Sequence, residues 1–331
     1  MNDGSPEVRP PAGRRRLSSP AALAVLAAVA IAACATTESP DVSPTAPNAA
    51  SSSGAALAVA TAAVSSSAPA GVFAAVPEEP GALARYLVEA ERAVRDPAVD
   101  PAGATAAGRR LQLGYSRLGS RPALVESVRA LVPDDVRFPF EQNLAARLAP
   151  PDVPPGPAGS TLPAWRIQEP RPAAELLGYY REAEARTGIG WQYLAAINLV
   201  ETRMGRIVGV SSAGAVGPMQ FLPSTWTECC TGDPWNDRDA ILGAAAYLRR
   251  RGGPADMTKA ILGYNPNRRY LAMVTAYAAV LAADERAYRG YHAWQVFWDT
   301  SAGLVRLPVG YAADAPIDAA TYLRDHPQDR A

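Results

Sequence analysis

Residues 191–205 read Trp191-Gln192-Tyr193-Leu194-Ala195-Ala196-Ile197-Asn198-Leu199-Val200-Glu201-Thr202-Arg203-Met204-Gly205. At 3.6 residues per turn, Trp191, Leu194, Ala195, Asn198 and Glu201 fall near one face. The opposite face is apolar as well, and a helix that is apolar all round is a buried one. The stretch therefore predicts a central helix over Trp191–Met204, inside an all-α domain. Glu201 stands near its end, where core meets surface. Burial disfavours a carboxylate and raises its pKa, which is how an acid stays protonated near neutral pH. The plainer alternative is a helix glutamate paired with Arg203 or Arg206.

The loop that follows adds weight to the first reading. It runs Ser211-Ser212-Ala213-Gly214-Ala215-Val216-Gly217-Pro218-Met219-Gln220-Phe221-Leu222-Pro223-Ser224-Thr225-Trp226. Its glycines permit tight turns and close approach of the backbone to a ligand. It lacks the Gly-Lys-Ser/Thr ending of a phosphate loop. Met219 and Gln220 beside an aromatic suit a groove that takes a sugar ring.

A Glu, then a Ser, then Gly-Ala-x-Gly-x-Met-Gln-Phe-x-Pro-Ser-Thr resembles the lytic transglycosylases of the lysozyme-like superfamily. Two further stretches follow their pattern in order: Asp233-Pro234-Trp235-Asn236 leading to Ala245-Ala246-Tyr247-Leu248, and Ala260-Ile261-Leu262-Gly263-Tyr264-Asn265. The resemblance covers roughly Leu176 to Leu281 and is nearest to the membrane-bound B-type enzymes, in an actinobacterial wording. It implies a lysozyme-like catalytic domain acting on peptidoglycan. Residue by residue, it makes Glu201 the single catalytic acid/base. It puts Ser211 near the substrate's N-acetyl group, and Met219 and Gln220 in the sugar groove. Tyr264 and Asn265 match the motif whose Tyr lies beside the acid, and Tyr270 matches a further groove Tyr. The short loop Trp226–Trp235, with Cys229-Cys230, departs from the family.

Most glycosidases use two carboxylates across the scissile bond, and this chain offers one compelling candidate. The resemblance implies that Glu201 cleaves the β-1,4 bond between N-acetylmuramic acid and N-acetylglucosamine to leave a 1,6-anhydro sugar, with no cofactor or metal. A muramidase hydrolysing the same bond would need a second acid, and Glu228, Asp233, Asp237 and Asp239 are the nearby choices. Asp237 and Asp239 read better as helix N-terminal residues. A third reading is a non-catalytic peptidoglycan-binding lipoprotein, or a scaffold in a complex of cell-wall enzymes.

Around this centre the chain divides by composition. Arg14–Arg16 precede an apolar run from Pro20 to Ala33, shorter than the roughly 20 residues that cross a bilayer. Residues 1–33 therefore read as an export signal. The ending Ile31-Ala32-Ala33-Cys34 resembles a lipoprotein box, which implies a lipid-anchored envelope protein held to the membrane through acylated Cys34. An ordinary signal with a chance Cys is the alternative. Residues 34–78 are mostly Ala, Ser, Thr and Pro and cannot bury enough surface to offset the entropy of ordering. They read as a tether. Removing residues 1–33 leaves 28 basic and 30 acidic residues, a net charge of −2, which offers no footprint for nucleic acid.

Residues 79–160 read as a helical subdomain, with Leu83, Leu87, Ala90 and Val94 at helical spacing, then helices over Ala106–Leu118, Pro122–Leu131 and Phe138–Leu148. Residues 161–331 hold the catalytic domain, with helices over Ala173–Arg186, Trp191–Met204, Arg238–Arg250, Asp256–Tyr264 and Arg268–Ala283, and a short one near Trp226. Alternation around Trp294, Val296 and Trp298, then turn residues at Thr300–Gly303, predicts a small C-terminal β-hairpin. Adjacent cysteines close only a strained ring, so Cys229 and Cys230 are read as unpaired by default, with a vicinal disulfide as the alternative.

Overall fold

A computed structural model describes residues 72, 73, 75–152 and 156–331. The export signal, Cys34 and most of the tether lie outside the described residues. The described end of the tether is packed: Val76 is buried and the Phe73 ring lies 6.5 Å from that of Phe297. The folded part thus begins before residue 79, because these two apolar side chains find cover.

The chain is mostly helical with small antiparallel strand pairs. It opens with α1 (Pro80–Ala93), α2 (Pro101–Ser120), the short α3 (Val125–Arg129) and α4 (Asp134–Leu148). Glu79 and Asp100 cap the first two through backbone N–H groups, as acidic N-caps do. The cap at Asp100 starts α2 earlier than apolar spacing alone suggests. The single helix expected over Pro122–Leu131 is a 3₁₀ turn followed by α3. Leu83, Leu87, Leu111, Leu118, Phe140 and Leu144 form the core of this part.

Strands β1 (Thr161–Leu162) and β2 (Arg166–Ile167) lead to α5 (Ala173–Thr187) and α6 (Trp191–Thr202), then β3 (Ile207–Val208), α7 (Pro223–Cys229), α8 (Asp237–Arg250), α9 (Met257–Tyr264), α10 (Arg268–Ala283) and α11 (Ala287–His292). The hairpin β4 (Val296–Thr300) and β5 (Gly303–Leu307) follows, then β6 (Ile317–Asp318) and α12 (Ala319–Asp325). Helix α6 is the buried centre, covered by α5, α8 and α10, and α10 also packs on α4. It ends at Thr202 rather than Met204, because Arg203 and Met204 turn into the left-handed region at φ 55° and 63°.

The hairpin is present, with Val296 paired to Leu307 and Thr300 to Gly303. Two further pairings, β1 with β6 and β2 with β3, join segments far apart in sequence. With the hairpin and α12 they enclose a third cluster that includes Leu162, Ile167, Ile207, Val305 and Leu323. Cys229 and Cys230 are joined in a disulfide, against the default reading. Both sit where α7 turns out of its helix and packs on the main core. No helix of the described residues is long and apolar enough to cross a membrane.

Candidate active site

Glu201 is only 5% exposed. Loss of solvent pushes its carboxyl up to about 8, and the nearby Tyr270 hydroxyl opposes that shift. No other charge is felt there. Arg203 does not pair with it: its guanidinium turns back to the carbonyls of Leu199 and Val200. Arg206 pairs with Glu169 at 3.1 Å. The plainer reading of Glu201 as an ion-paired helix residue therefore fails.

Two tyrosines flank the acid. Tyr270 is buried and its Oη has no hydrogen-bond partner at ordinary distance. Burial and then the Glu201 charge hold its hydroxyl well above the usual tyrosine range. The same two causes act on Tyr264. The two rings are nearly parallel, 6.5 Å apart at 8°. Asn267 caps α10 by accepting from the Tyr270 N–H at 2.8 Å, and so sets where Tyr270 enters. Tyr264 donates to the Met219 carbonyl at 2.6 Å, and Phe221 stands edge-on to its ring at 5.6 Å.

The loop after α6 is anchored by a buried polar set. Asn198 Nδ2 and Thr202 Oγ1 both donate to the Pro218 carbonyl, at 2.8 and 2.7 Å. Tyr180 donates to Asn198 Oδ1 at 2.6 Å, and the Gly205 N–H donates to Thr202 Oγ1 at 3.1 Å. Buried polar groups are costly unless partnered, so this set fixes the loop against the helix that carries Glu201. Residues Val216 and Phe221 pair across a tight turn. Gly217 has φ 75°, and a Cβ there would stand 1.8 Å from the Pro234 carbonyl oxygen. Only glycine allows this contact, which seats the turn against the Asp233–Asn236 segment.

The predicted residues fall into two groups. Glu201, Tyr264 and Tyr270 come together, with Met219 joined to them through its carbonyl. The Met219 side chain is fully buried in the main core, and its carbonyl is the part that meets Tyr264. Ser211 and Gln220 sit on the loop without a hydrogen bond to Glu201. Ser211 Oγ accepts from the N–H groups of Ala213 and Ala215, at 3.3 and 3.0 Å, which leaves its own O–H as a donor. Gln220, at φ 49°, donates to the Gly217 carbonyl at 2.9 Å. Asn265 closes α9 and its carbonyl accepts from Asn267. Asn198, Thr202 and Tyr180 were not singled out by sequence reasoning. A lone Asn inside an apolar helix was the available signal.

Three of the four alternative acids, Asp233, Asp237 and Asp239, are engaged elsewhere. Asp237 pairs with Arg171 at 2.7 Å. Asp239 accepts from the Asp233 N–H at 3.1 Å, and Asp233 accepts from the Trp235 N–H at 2.9 Å. Asn236 caps α8. Among the described residues no three His, Cys, Asp or Glu side chains converge as a metal-ligand set.

A curated relative supports a family reading. The chain is 33% identical over 81 residues to the membrane-bound lytic murein transglycosylase F of Thiobacillus denitrificans. The matched stretch is 24% of this chain and 17% of that relative, so the chain spans about a sixth of the relative's length. No protein-family profile matches the chain, and no solved structure does.

Proposed function

We propose that the protein is a peptidoglycan lytic transglycosylase with a lysozyme-like catalytic domain, and that Glu201 is its only acid/base. The observation that carries this reading is a solitary buried carboxyl, raised to about 8, with no second carboxylate acting on it. A group with a pKa near the working pH is suited to give and then take a proton. The named relative, a murein transglycosylase, points to the same substrate.

In the proposed reaction Glu201 starts protonated. It donates to the glycosidic oxygen between N-acetylmuramic acid and N-acetylglucosamine, and that bond to C1 breaks. The muramoyl N-acetyl oxygen stabilises the positive anomeric carbon. Ionised Glu201 then takes the proton of the C6 hydroxyl as its oxygen bonds to C1. The 1,6-anhydro product leaves and Glu201 ends protonated, with no water consumed. Tyr270 steadies the ionised carboxyl by donating to it. Ser211, Gln220 and Asn265 supply polar contacts to the glycan, and Tyr264 holds the loop that presents them.

Under this reading residues 1–33 are the export signal and acylated Cys34 holds the protein to the membrane, with a helical part that begins before residue 79 and runs to 160, and residues 161–331, as its two folded parts. The test is mass spectrometry of purified peptidoglycan digested by the protein and by Glu201→Gln. Anhydromuropeptides from the wild type alone support the proposal. Reducing-end products, heavier by one water, would make it a hydrolase. Wall binding without release from either protein would make it a binding module.

A further inference from the structure

Among the described residues the one disulfide joins neighbours in the chain, Cys229 and Cys230. A disulfide stabilises a fold mainly by closing a loop in the unfolded chain, and the effect grows with loop length. A bond between adjacent residues encloses almost no chain, so this one adds little to global stability. What it fixes is local: the backbone at the exit of α7. The helix stops at Cys229, and Cys230 is extended at φ −133° and ψ 167°, its N–H still donating to the Trp226 carbonyl at 2.9 Å.

Two paths lead from this exit to the Gly217–Gln220 turn. Cys230 and Trp226 share a seat on α8: a Cβ at Gly243 would stand 2.6 Å from the Trp226 ring and 3.3 Å from Cys230 Sγ. The Trp226 ring is edge-on to Phe221 at 5.1 Å, and Phe221 pairs with Val216 to close the turn. The second path is the strap of residues 231–236 that joins α7 to α8. Trp226 Nε1–H donates to the Gly232 carbonyl at 3.2 Å, the Asp233 N–H donates to Asp239 Oδ2 at 3.1 Å, and the Pro234 carbonyl lies directly against Gly217. The turn is thus gripped from two sides by parts that meet at the cysteines. Both cysteines are half-buried, in a stretch where Glu228, Thr231 and Gly232 are exposed.

We propose that the Cys229–Cys230 disulfide is a redox-operated latch on the Gly217–Gln220 turn, closed when oxidised and released by a dithiol. A thiolate of the dithiol attacks one sulfur, the S–S bond breaks, and the other cysteine leaves as a thiolate that takes a proton. The second thiol of the reagent then attacks the mixed disulfide, frees the first cysteine and closes the reagent's own disulfide. Two electrons and two protons have passed to the cysteine pair, and no other reactant is needed. With the bond gone, nothing covalent holds α7 to end at Cys229 or Cys230 to its seat at Gly243. The strap and the Trp226 ring lose their common fixed point, while the Tyr264 contact to the Met219 carbonyl still ties the turn. The turn is loosened and not unfolded. The latch does not involve the chemistry of Glu201, so it stands or falls apart from the proposed reaction.

The test is hydrogen–deuterium exchange of the full chain, read by mass spectrometry before and after dithiothreitol. Alkylation of a parallel sample, counted on the peptide holding Cys229 and Cys230, shows whether the bond has opened. Reduction should speed exchange about tenfold over residues 216–221 and 230–236, as for a local opening, and leave residues 268–283 unchanged. The double substitution Cys229→Ser with Cys230→Ser should exchange like the reduced protein, with or without dithiothreitol. If that variant fails to fold, reoxidation of the reduced wild type should restore slow exchange over the same residues. The proposal is overturned by alkylation of both cysteines before any reductant, or by a bond that resists excess dithiothreitol in the folded protein. It is overturned equally by reduction with no change over residues 216–221, or by a double variant that exchanges like the oxidised protein. Acceleration that spreads equally to residues 268–283 would also overturn it, by making the bond a global staple.

Discussion

The hydroxyl of Tyr264 donates to the carbonyl oxygen of Met219 across 2.6 Å, joining the end of α9 to a turn 45 residues earlier in the chain. With the edge-on packing of Phe221 against the Tyr264 ring, this contact holds the loop after α6 to the helix pair that carries Tyr264 and Tyr270. Tyr264→Phe removes the donor and leaves the Met219 carbonyl unpaired in a buried place. The expected loss is about 1–3 kcal/mol of stability, read by urea denaturation, with a fall in glycan release. A variant as stable as the wild type would show that the loop is held by other contacts.

Glu201 should destabilise the protein at the pH where it works. Its carboxyl is raised from 4.5 to about 8, so the folded state holds a proton that the unfolded chain gives up. Stability is therefore full below about pH 4.5 and falls as pH rises toward 8. Glu201→Gln removes that dependence. At pH 7 the variant should be more stable by about 3 kcal/mol, and the gap should close by pH 4. Equal stability of the two proteins across this range would mean that the carboxyl is not desolvated.

Glycan release should share this titration. The proposed first step needs Glu201 protonated, so the rate should decline as pH rises through about 8. Tyr270 acts on Glu201 in the lowering direction. In Tyr270→Phe the declining limb should move to higher pH and the maximal rate should drop. A limb that stays in place, measured from initial rates of soluble muropeptide release, would separate Tyr270 from the acid.

Gly217→Ala should be severe although it adds one methyl group. The new Cβ would stand 1.8 Å from the Pro234 oxygen, at φ 75°. The turn and the Asp233–Asn236 segment must then separate, with an expected cost of about 3 kcal/mol or more from overpacking and strain together. Thermal unfolding measures this. Ser212→Ala, on the exposed part of the same loop, should change stability by no more than about 0.5 kcal/mol.

The sequence made the helices legible where local signals agreed. α6 shows as an unbroken apolar stretch, and α8 begins at the acidic first turn of Asp237 and Asp239 with Asn236 as its cap, whereas the Asn267 cap of α10 came from the structure. The hairpin was legible from the alternation at Val296–Trp298 and the turn before Leu304. Helix α11 was not, because Tyr288, Gly290 and Tyr291 are buried among neighbours that periodicity does not reveal. The pairings of β1 with β6 and β2 with β3 are two residues long and join distant segments, so no local pattern announces them. At the candidate site, motif spacing singled out Glu201, Tyr264 and Tyr270, and the fold brings these three side chains together. The Met219 side chain is fully buried in the main core and only its carbonyl meets Tyr264. Spacing gives order along the chain, and only packing decides which face of a loop is wet.

The N–H of Val72 donates to the Arg330 carbonyl at 2.7 Å, and the N–H of Ala331 donates to Leu304. The described chain thus enters and leaves at one spot, beside β5. A short linker there would close it into a ring, and the ring could be reopened at an exposed loop such as the one around Gly159 without rerouting the core. It also means that a load applied at residue 72 is shared first with the last strand-like contacts of the chain. The helix carrying Glu201 is shielded from that pull by everything in between.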